Sequence, residues 1–227
     1  ASVESTLGRI TGSVTFSNTA AGPTLFVPTP QGRLYALDAV GNGTTKTTTP
    51  RWTYPGLADN PIGPITMTPM VEFNRVFFGT GTGAFGGSNT FYAIDVVDAD
   101  ANQIGDVAWS RNAGDGGEVY LPFGNAGPAS APAAELEAGM GDTVFFANDN
   151  FFTYAVRASD GTQIWGSNVI GSSPSSSLGF TYMRVPNAAG NLTVTATPTV
   201  MVPSLNGTYT ALHANVSQQN SRGDRLA

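Results

Sequence analysis

Apolar residues fall along this 227-residue chain in short runs, divided by polar segments dense in Gly, Pro, Asn and Thr. Val, Phe, Tyr and Leu dominate the runs, as in TLFVP (24–28), RVFFG (75–79) and TVFFA (143–147). Such runs, bounded by turn-forming residues, predict strands rather than helices. They form four groups: residues 12–17, 24–28, 33–39 and 51–54; then 65–72, 75–79, 90–96 and 106–111. The third group is 129–136, 143–147, 152–158 and 163–167, and the last 181–185, 193–201 and 208–214. Helical periodicity is essentially absent, because Pro or Gly interrupts nearly every window long enough to hold a helix. The one faint helical window, residues 131–140, is weakened by Pro132.

The groups are copies of one unit. FYAIDVVDADANQIGDVAW (91–109) is echoed by LYALDAVGNGTTKTTTPRW (34–52), by TYAVRASDGTQIW (153–165) and, in worn form, by TALHANVSQQNSRGDRLA (210–227). Aligned on the alanines Ala36, Ala93, Ala155 and Ala211, the copies are spaced by 57, 62 and 56 residues. Trp52, Trp109 and Trp165 follow their alanines by 16, 16 and 10 residues, and residues 24–39 align without a gap on 199–214. Repetition of this kind fixes an architecture before any single motif does. One four-stranded antiparallel sheet cannot cover both of its faces, so serial sheets stack on their neighbours.

The expected fold is therefore all-β: a β-propeller of four-stranded antiparallel blades. The whole chain, 1–227, forms one propeller domain or a piece of one, with repeats near residues 10–55, 64–111, 128–168 and 180–227. In that geometry Ala36, Ala93, Ala155 and Ala211 allow close approach between blades, and the three tryptophans cap the seam from the outer strand. The fourth copy stops where its tryptophan is due. Two closures are open: four blades, with residues 1–9 as the missing outer strand, or a segment of a larger ring.

YALDA or YAIDV, then a Gly-containing turn, then Trp, is a unit that resembles the PQQ-like β-propeller repeat. YAVRASDGTQIW (154–165), with Asp160-Gly161 as its turn, is the nearest copy. In that family the tryptophan motif ties successive blades together. The resemblance implies one of three settings: quinone-dependent alcohol and sugar dehydrogenases, outer-membrane assembly scaffolds, or pilus-tip adhesins with a calcium-dependent propeller. The alcohol-oxidising members commonly carry adjacent cysteines over the quinone and often a haem motif; this chain has no cysteine. No Asp stands in a recognisable motif for the catalytic role, so no quinone cofactor is expected.

Composition narrows the partners. Charged residues make up 11% of the chain, against roughly 25% in an ordinary soluble domain. A net charge of −6, with ten scattered Lys and Arg, argues against nucleic-acid phosphates. The absence of cysteine removes disulfides, thiolate metal sites and a thiol nucleophile together. No apolar run approaches the ~18 residues of a membrane helix. An uncharged surface rich in Thr, Gly and Asn points to the periplasm or the cell exterior.

The sharpest local signal lies in the second repeat. Asp98, Asp100, Asn102 and Asp106 occupy offsets 1, 3, 5 and 9, the oxygen-ligand spacing of a calcium loop. The pattern is partial: Gln103 stands where Gly is expected, and Trp109 where the closing Glu belongs. The competing reading is a polar turn whose Asp and Asn cap their own backbone. The calcium-dependent pilus-tip propellers that the chain resembles place their ion in this acidic turn.

Other motifs carry less. His213 is the only histidine and occupies the position of Asp38 and Asp95 in the sister repeats, so no Ser–His–Asp array is expected. GTGTGAFGG (79–87) lacks the Lys-Ser/Thr and helix of a phosphate loop and reads as a hairpin connection. Residues 115–118 read as an exposed turn. Asn42, Asn191, Asn206 and Asn215 open glycosylation-type triplets that matter only in a secreted protein. Long segments between strands (56–64, 112–128 and 166–179) are where such a scaffold places function. The expected role is non-catalytic: an extracytoplasmic module binding other protein subunits of an envelope or surface assembly. A calcium-tuned pilus-tip adhesin and a fragment of a quinone-dependent dehydrogenase are the rivals.

Overall fold

The structure is a computed structural model that describes residues 7, 10, 12–81, 90–112, 129–131, 136–148, 151–167, 177–184, 189–191 and 197–215. It is all-β, with two compact units, Ala1–Asn125 and Ala126–Ala227. Each unit contains two antiparallel meanders, the sheet type of a propeller blade.

In the first unit, blade 1 is β1 (Thr15–Thr19), β2 (Gly22–Pro28), β3 (Leu34–Asp38) and β4 (Pro50–Tyr54), hydrogen-bonded in that order. Blade 2 is β5 (Met70–Glu72), β6 (Arg75–Gly79), β7 (Thr90–Asp95) and β8 (Val107–Asn112). In the second unit, blade 3 is β9 (Ala129–Ala131), β10 (Thr143–Ala147), β11 (Thr153–Arg157) and β12 (Gln163–Ser167). Blade 4 has three strands among the described residues: β13 (Gly179–Met183), β14 (Thr197–Pro203) and β15 (Tyr209–His213).

One row of side chains recurs across the blades. Ala36 of β3 stands opposite Phe26 of β2 on one side and Trp52 of β4 on the other. Ala93 is flanked in the same way by Phe77 and Trp109, and Ala155 by Phe145 and Trp165. The alanine leaves room above itself, so the two large rings from the outer positions meet across it. Their centroids lie 5.8, 5.9 and 5.8 Å apart in blades 1, 2 and 3, with tilted planes. That geometry is the one aromatic pairs prefer. A β-bulge follows each alanine, between Ala36 and Leu37, Ala93 and Ile94, and Ala155 and Val156. The strand-period alternation then sends the next residues to the opposite face.

Within each unit these rows build the core between blades. Phe26, Leu34, Ala36 and Trp52 of blade 1 pack with Val76, Phe78, Tyr92, Ile94 and Val96 of blade 2. In the second unit, Phe145, Ala147, Ala155 and Trp165 of blade 3 pack with Val200, Val202, Leu212 and Ala214 of blade 4. The indole N–H closes each seam. Trp52 Nε1 donates to the carbonyl of Val96 at 3.2 Å, and Trp165 Nε1 to that of Ala214 at 3.1 Å. Both acceptors lie three residues past the marker alanine of the following blade, so one bond is made twice from equivalent positions.

Several expected boundaries move. β5 begins at Met70 rather than residue 65, because Pro64 and Pro69 have no N–H to give to a ladder. Ile65 and Met67 are still buried in the blade 1–blade 2 core, but as coil: Ile65 N bonds Thr29 O, and Gly79 N approaches Met67 Sδ. β9 ends at Ala131, short of the expected residue 136; Leu136 and Met140 join the second core from a turn. The described part of the faint helical window, residues 136–140, is that turn and not a helix. β1 runs to Thr19, because the turn at Gly22, with φ 99°, lets pairing continue down to Thr19–Gly22. Residues 1–6, 8 and 9, expected as an outer strand for blade 4, lie outside the described residues. Leu7 packs on the other face of blade 1, with Val27, Tyr35 and Leu37.

Candidate functional site

The acidic loop 98–106 joins β7 to β8 and is held at both ends. Asp95 N donates to Asp106 O at 2.8 Å across its base. Within it, Ala99 N donates to Asp106 Oδ2 at 2.7 Å and Gln103 N to Asp98 Oδ2 at 2.6 Å. Asn102 N donates to Asp100 Oδ1 at 3.1 Å, and Ile104 N to Asn102 Oδ1 at 2.7 Å. Asx side chains thus satisfy the backbone of a tight turn, and left-handed Ala101 and Gln103 (φ 58° and 67°) set its curvature. The loop is a self-capped turn.

It also brings three carboxylates together. One oxygen from each of Asp98, Asp100 and Asp106 lies within 4.8 Å of the other two. Calcium binds oxygens at about 2.4 Å, so oxygens up to twice that distance apart can share one ion. Asp98 Oδ1 is buried and has no hydrogen-bond partner, an acceptor that a cation would satisfy. Asn102 departs from the expected set. Its Oδ1 accepts from Ile104 N and its Nδ2 donates to Asp100 Oδ2 at 2.9 Å, so its amide is spent inside the turn. Three aspartates fit a hard cation; the asparagine shapes the loop around them.

Nothing in the spacing of these aspartates foretells how the loop is fastened. Ile104 forms a parallel bridge with Thr53 of β4, through Thr53 N to Gln103 O at 3.1 Å and Gly105 N to Thr53 O at 2.9 Å. Blade 2's acidic loop is thereby laid along the outer strand of blade 1. Gly105 makes this approach feasible: a Cβ there would meet Trp52 Cε3 and Cζ3 and Ile94 Cγ2, each at 2.8 Å. The only sequence trace of the contact is that glycine. Beside it, Arg33 fastens the 55–60 loop by donating to the carbonyls of Gly56 (3.1 Å), Leu57 (3.4 Å) and Asp59 (2.7 Å). Two polar loops of one unit are therefore hydrogen-bonded in place beside β4.

Solved structures similar to this chain are β-propellers. The quinohemoprotein alcohol dehydrogenase from Comamonas testosteroni is 16% identical with a TM-score of 0.58, over 90% of this chain and 33% of that one. The Cps50 (Swd1) β-propeller domain of Myceliophteria thermophila is 13% identical with a TM-score of 0.54, over 92% and 52%. BamB from Moraxella catarrhalis is 18% identical with a TM-score of 0.47, over 96% and 61%. The chain has the β-propeller fold. Neither a family model nor a curated protein matches it, and it spans less than two thirds of the length of each of these structures. Identity this low carries the fold and no activity.

Trp52, Trp165, Ala36, Ala93 and Ala155 are buried, Trp109 lies against Phe77 and Phe91, and Ala211 is half-buried. Asp38 pairs with Arg51 at 3.1 Å and Asp95 with Arg75 at 3.2 Å, while Arg157 and His213 hold the same position in blades 3 and 4. Gly79, Thr80 and Gly81 lead out of β6 and Thr90 opens β7, so the glycine-rich stretch is a hairpin connection; residues 82–89 lie outside the described residues. So do 115–118 and most of the segments 112–128 and 166–179. Asn42 and Asn206 are exposed, and each caps its own turn, through Thr44 N and Thr208 N respectively. Asp160 N-caps the β11–β12 turn: its carboxylate accepts from Thr162 N at 2.8 Å, which holds its pKa below the ordinary value. Among the described residues no helix is long and apolar enough to cross a membrane.

Burial creates one titrating pair. Tyr54 and Tyr92 meet with centroids 5.6 Å apart between blades 1 and 2, and Phe78 stacks on Tyr92 at 5.3 Å. Desolvation first, then Tyr92 and Asp59, push Tyr54 up to about 12, and desolvation raises Tyr92 as well. The folded form therefore favours the neutral phenols. Their contribution to stability is whole below the unfolded value near 10 and is lost as pH climbs toward about 12. Absorbance at 295 nm is expected to show a late-titrating fraction of the seven tyrosines, and Tyr54→Phe is expected to remove part of it and to blunt alkaline unfolding.

Proposed function

We propose that this chain is a non-catalytic, extracytoplasmic propeller module that binds other protein subunits of an envelope or surface assembly. The observation that carries this reading is the pair of polar loops fastened against β4, through the Thr53–Ile104 bridge and the Arg33 bonds. A loop already ordered loses little entropy on binding, so a rigid polar surface on a stacked-sheet scaffold suits recognition of a folded partner. The low charge and lack of cysteine accord with a setting outside the cytoplasm. Affinity capture from envelope material is the test, comparing the wild-type chain with one carrying Asp100→Lys and Asn102→Lys. Both positions are exposed and lie off the core. The reading expects a stoichiometric partner whose recovery falls at least about tenfold with the loop variant. Recovery of the chain alone overturns it. So does dye-linked oxidation of alcohols by the purified chain with added quinone and calcium, which would instead establish the dehydrogenase reading.

The convergence of three carboxylates favours a second element within this reading: calcium held by Asp98, Asp100 and Asp106, as in a calcium-tuned adhesin. The ion would neutralise the aspartates, satisfy Asp98 Oδ1 and further stiffen the loop. After chelation, added calcium is expected to give a titration heat and to raise Tm. A hundredfold excess over Kd corresponds to about 2.7 kcal/mol. Asp98→Asn is expected to abolish both signals while leaving the metal-free Tm close to wild type. No heat and no Tm shift in the wild type dismiss the ion.

A further inference from the structure

We infer that the Asn42–Gly43 step is a site of spontaneous covalent modification, at which the folded chain converts its own asparagine to isoaspartate and aspartate. The chain has two Asn-Gly steps, 42–43 and 206–207, and each is followed by threonine. Both asparagines are exposed. Glycine has no Cβ to shield its backbone nitrogen, so in such a step that nitrogen can reach the side-chain amide of the preceding residue.

The reaction needs only water. The Gly43 nitrogen attacks Cγ of Asn42, an N–C bond forms, and the carbonyl electron pair moves onto Oδ1. When the pair returns, the Cγ–Nδ2 bond breaks, and ammonia leaves with the proton lost by Gly43. Water then opens the cyclic imide. Cleavage at Cγ gives aspartate; cleavage at the backbone carbonyl gives isoaspartate, with the main chain now running through the side chain.

Two features of the folded loop favour this at Asn42. Its Oδ1, where negative charge collects, accepts from Thr44 N at 3.0 Å and Thr45 N at 3.1 Å. Backbone donors already aimed at a developing oxyanion lower the barrier to attack. The second feature is the nucleophile. Gly43 N makes no hydrogen bond among the described residues, and a Cβ there would meet nothing within 4 Å. The turn around it is clamped, since Asn42 N donates to Thr47 O and Lys46 N to Asn42 O, both at 2.7 Å. Amide and nucleophile are thus held in one turn, as an intramolecular reaction requires.

Asn206 supplies the contrast. Its Oδ1 also has two donors, Thr208 N at 3.1 Å and Thr208 Oγ1 at 2.6 Å. Gly207 N, however, donates to Ser204 O at 3.0 Å, and that bond must break before attack. One tripeptide therefore occurs with its nucleophile open at residue 43 and occupied at residue 207. Each event at Asn42 adds one negative charge to the net −6. It does so in the β3–β4 connection, the place that the acidic loop holds in blade 2. Isoaspartate also lengthens the main chain beside the Asn42–Thr47 bridge.

The whole chain is aged in mildly alkaline buffer, both folded and in guanidinium, and peptide mapping by mass spectrometry follows residues 42 and 206 separately. Both sites read Asn-Gly-Thr, so their unfolded rates are expected to be similar. In the folded chain Asn42 is expected to convert at least about tenfold faster than Asn206, and no slower than when unfolded. Isoaspartate is read by labelling with an isoaspartyl methyltransferase. Gly43→Ala, whose added methyl meets no atom, is expected to slow residue 42 at least about tenfold. It should leave residue 206 and the far-UV spectrum unchanged. Equal folded rates at the two sites, a folded Asn42 slower than the unfolded one, or an undiminished rate in Gly43→Ala overturns the inference.

Discussion

Trp52→Ala is expected to cost the Ala1–Asn125 unit about 3–5 kcal/mol, the range for emptying a large buried aromatic site. Three losses coincide at this residue. Its ring, 1% exposed, fills the centre of the blade 1–blade 2 core and meets Phe26 at 5.8 Å. Its Nε1–H satisfies the buried Val96 carbonyl, and an orphaned buried acceptor costs about 1–3 kcal/mol. Its Cε3 and Cζ3 edge is the surface on which Gly105, and hence the acidic loop, rests. For a unit of this size, between the small and large domains, each kcal/mol lowers Tm by roughly 4 °C, so a fall beyond about 10 °C is expected by calorimetry. Trp52→Phe keeps most of the volume and loses only the hydrogen bond, and its expected cost is about 1–3 kcal/mol. If Trp52→Ala costs under 1 kcal/mol, the seam is held by something other than the tryptophan. The same substitution should also loosen residues 98–106, detectable as faster amide exchange at Gln103 and Ile104.

The strands were legible in sequence because the alternation of apolar runs and turn residues is a local property. Val76 to Phe78 and Val144 to Phe146 announce themselves whatever lies around them, and the repeat confirms each strand by its sisters. Boundaries failed where a residue is buried without being paired. Ile65 and Met67 look like strand residues because the core needs them, yet Pro64 and Pro69 deny the ladder its donors. The alanine marker was visible as a spacing. Its direct role in the sheet, as the gap over which Phe and Trp meet, required the register of three strands at once. The acidic loop divides in the same way. Offsets 1, 3 and 9 placed Asp98, Asp100 and Asp106 on one acidic turn, and one oxygen of each lies within 4.8 Å of the other two. They could not foretell that Asn102 is consumed by Ile104 N, or that the loop leans on Thr53, because that contact belongs to another blade. Gly105 was the one residue that could have signalled it, as a glycine beside the tryptophan strand where no turn is needed.

The marker alanines give the second large effect, and its contrast tests the row itself. Ala93→Leu adds three carbon atoms at a site with 0% exposure, directly between Phe77 and Trp109, whose centroids are 5.9 Å apart. The rings cannot separate without displacing β6 or β8 from β7. Overpacking of this kind typically costs about 1–3 kcal/mol and sometimes more, and Ala36→Leu and Ala155→Leu should fall in the same range. Among the described residues Ala211 has no tryptophan opposite it, and its half-buried site leaves room to expand, so the expected cost of Ala211→Leu is within about 0.5 kcal/mol, the scale of ordinary surface changes. Four single substitutions measured by chemical denaturation thus divide three against one. Equal costs at all four positions would mean that the alanines are small for a reason unrelated to the rings beside them. A cost confined to Ala36, Ala93 and Ala155 would show that each completed blade depends on a void above its third strand, filled by two rings from its neighbours.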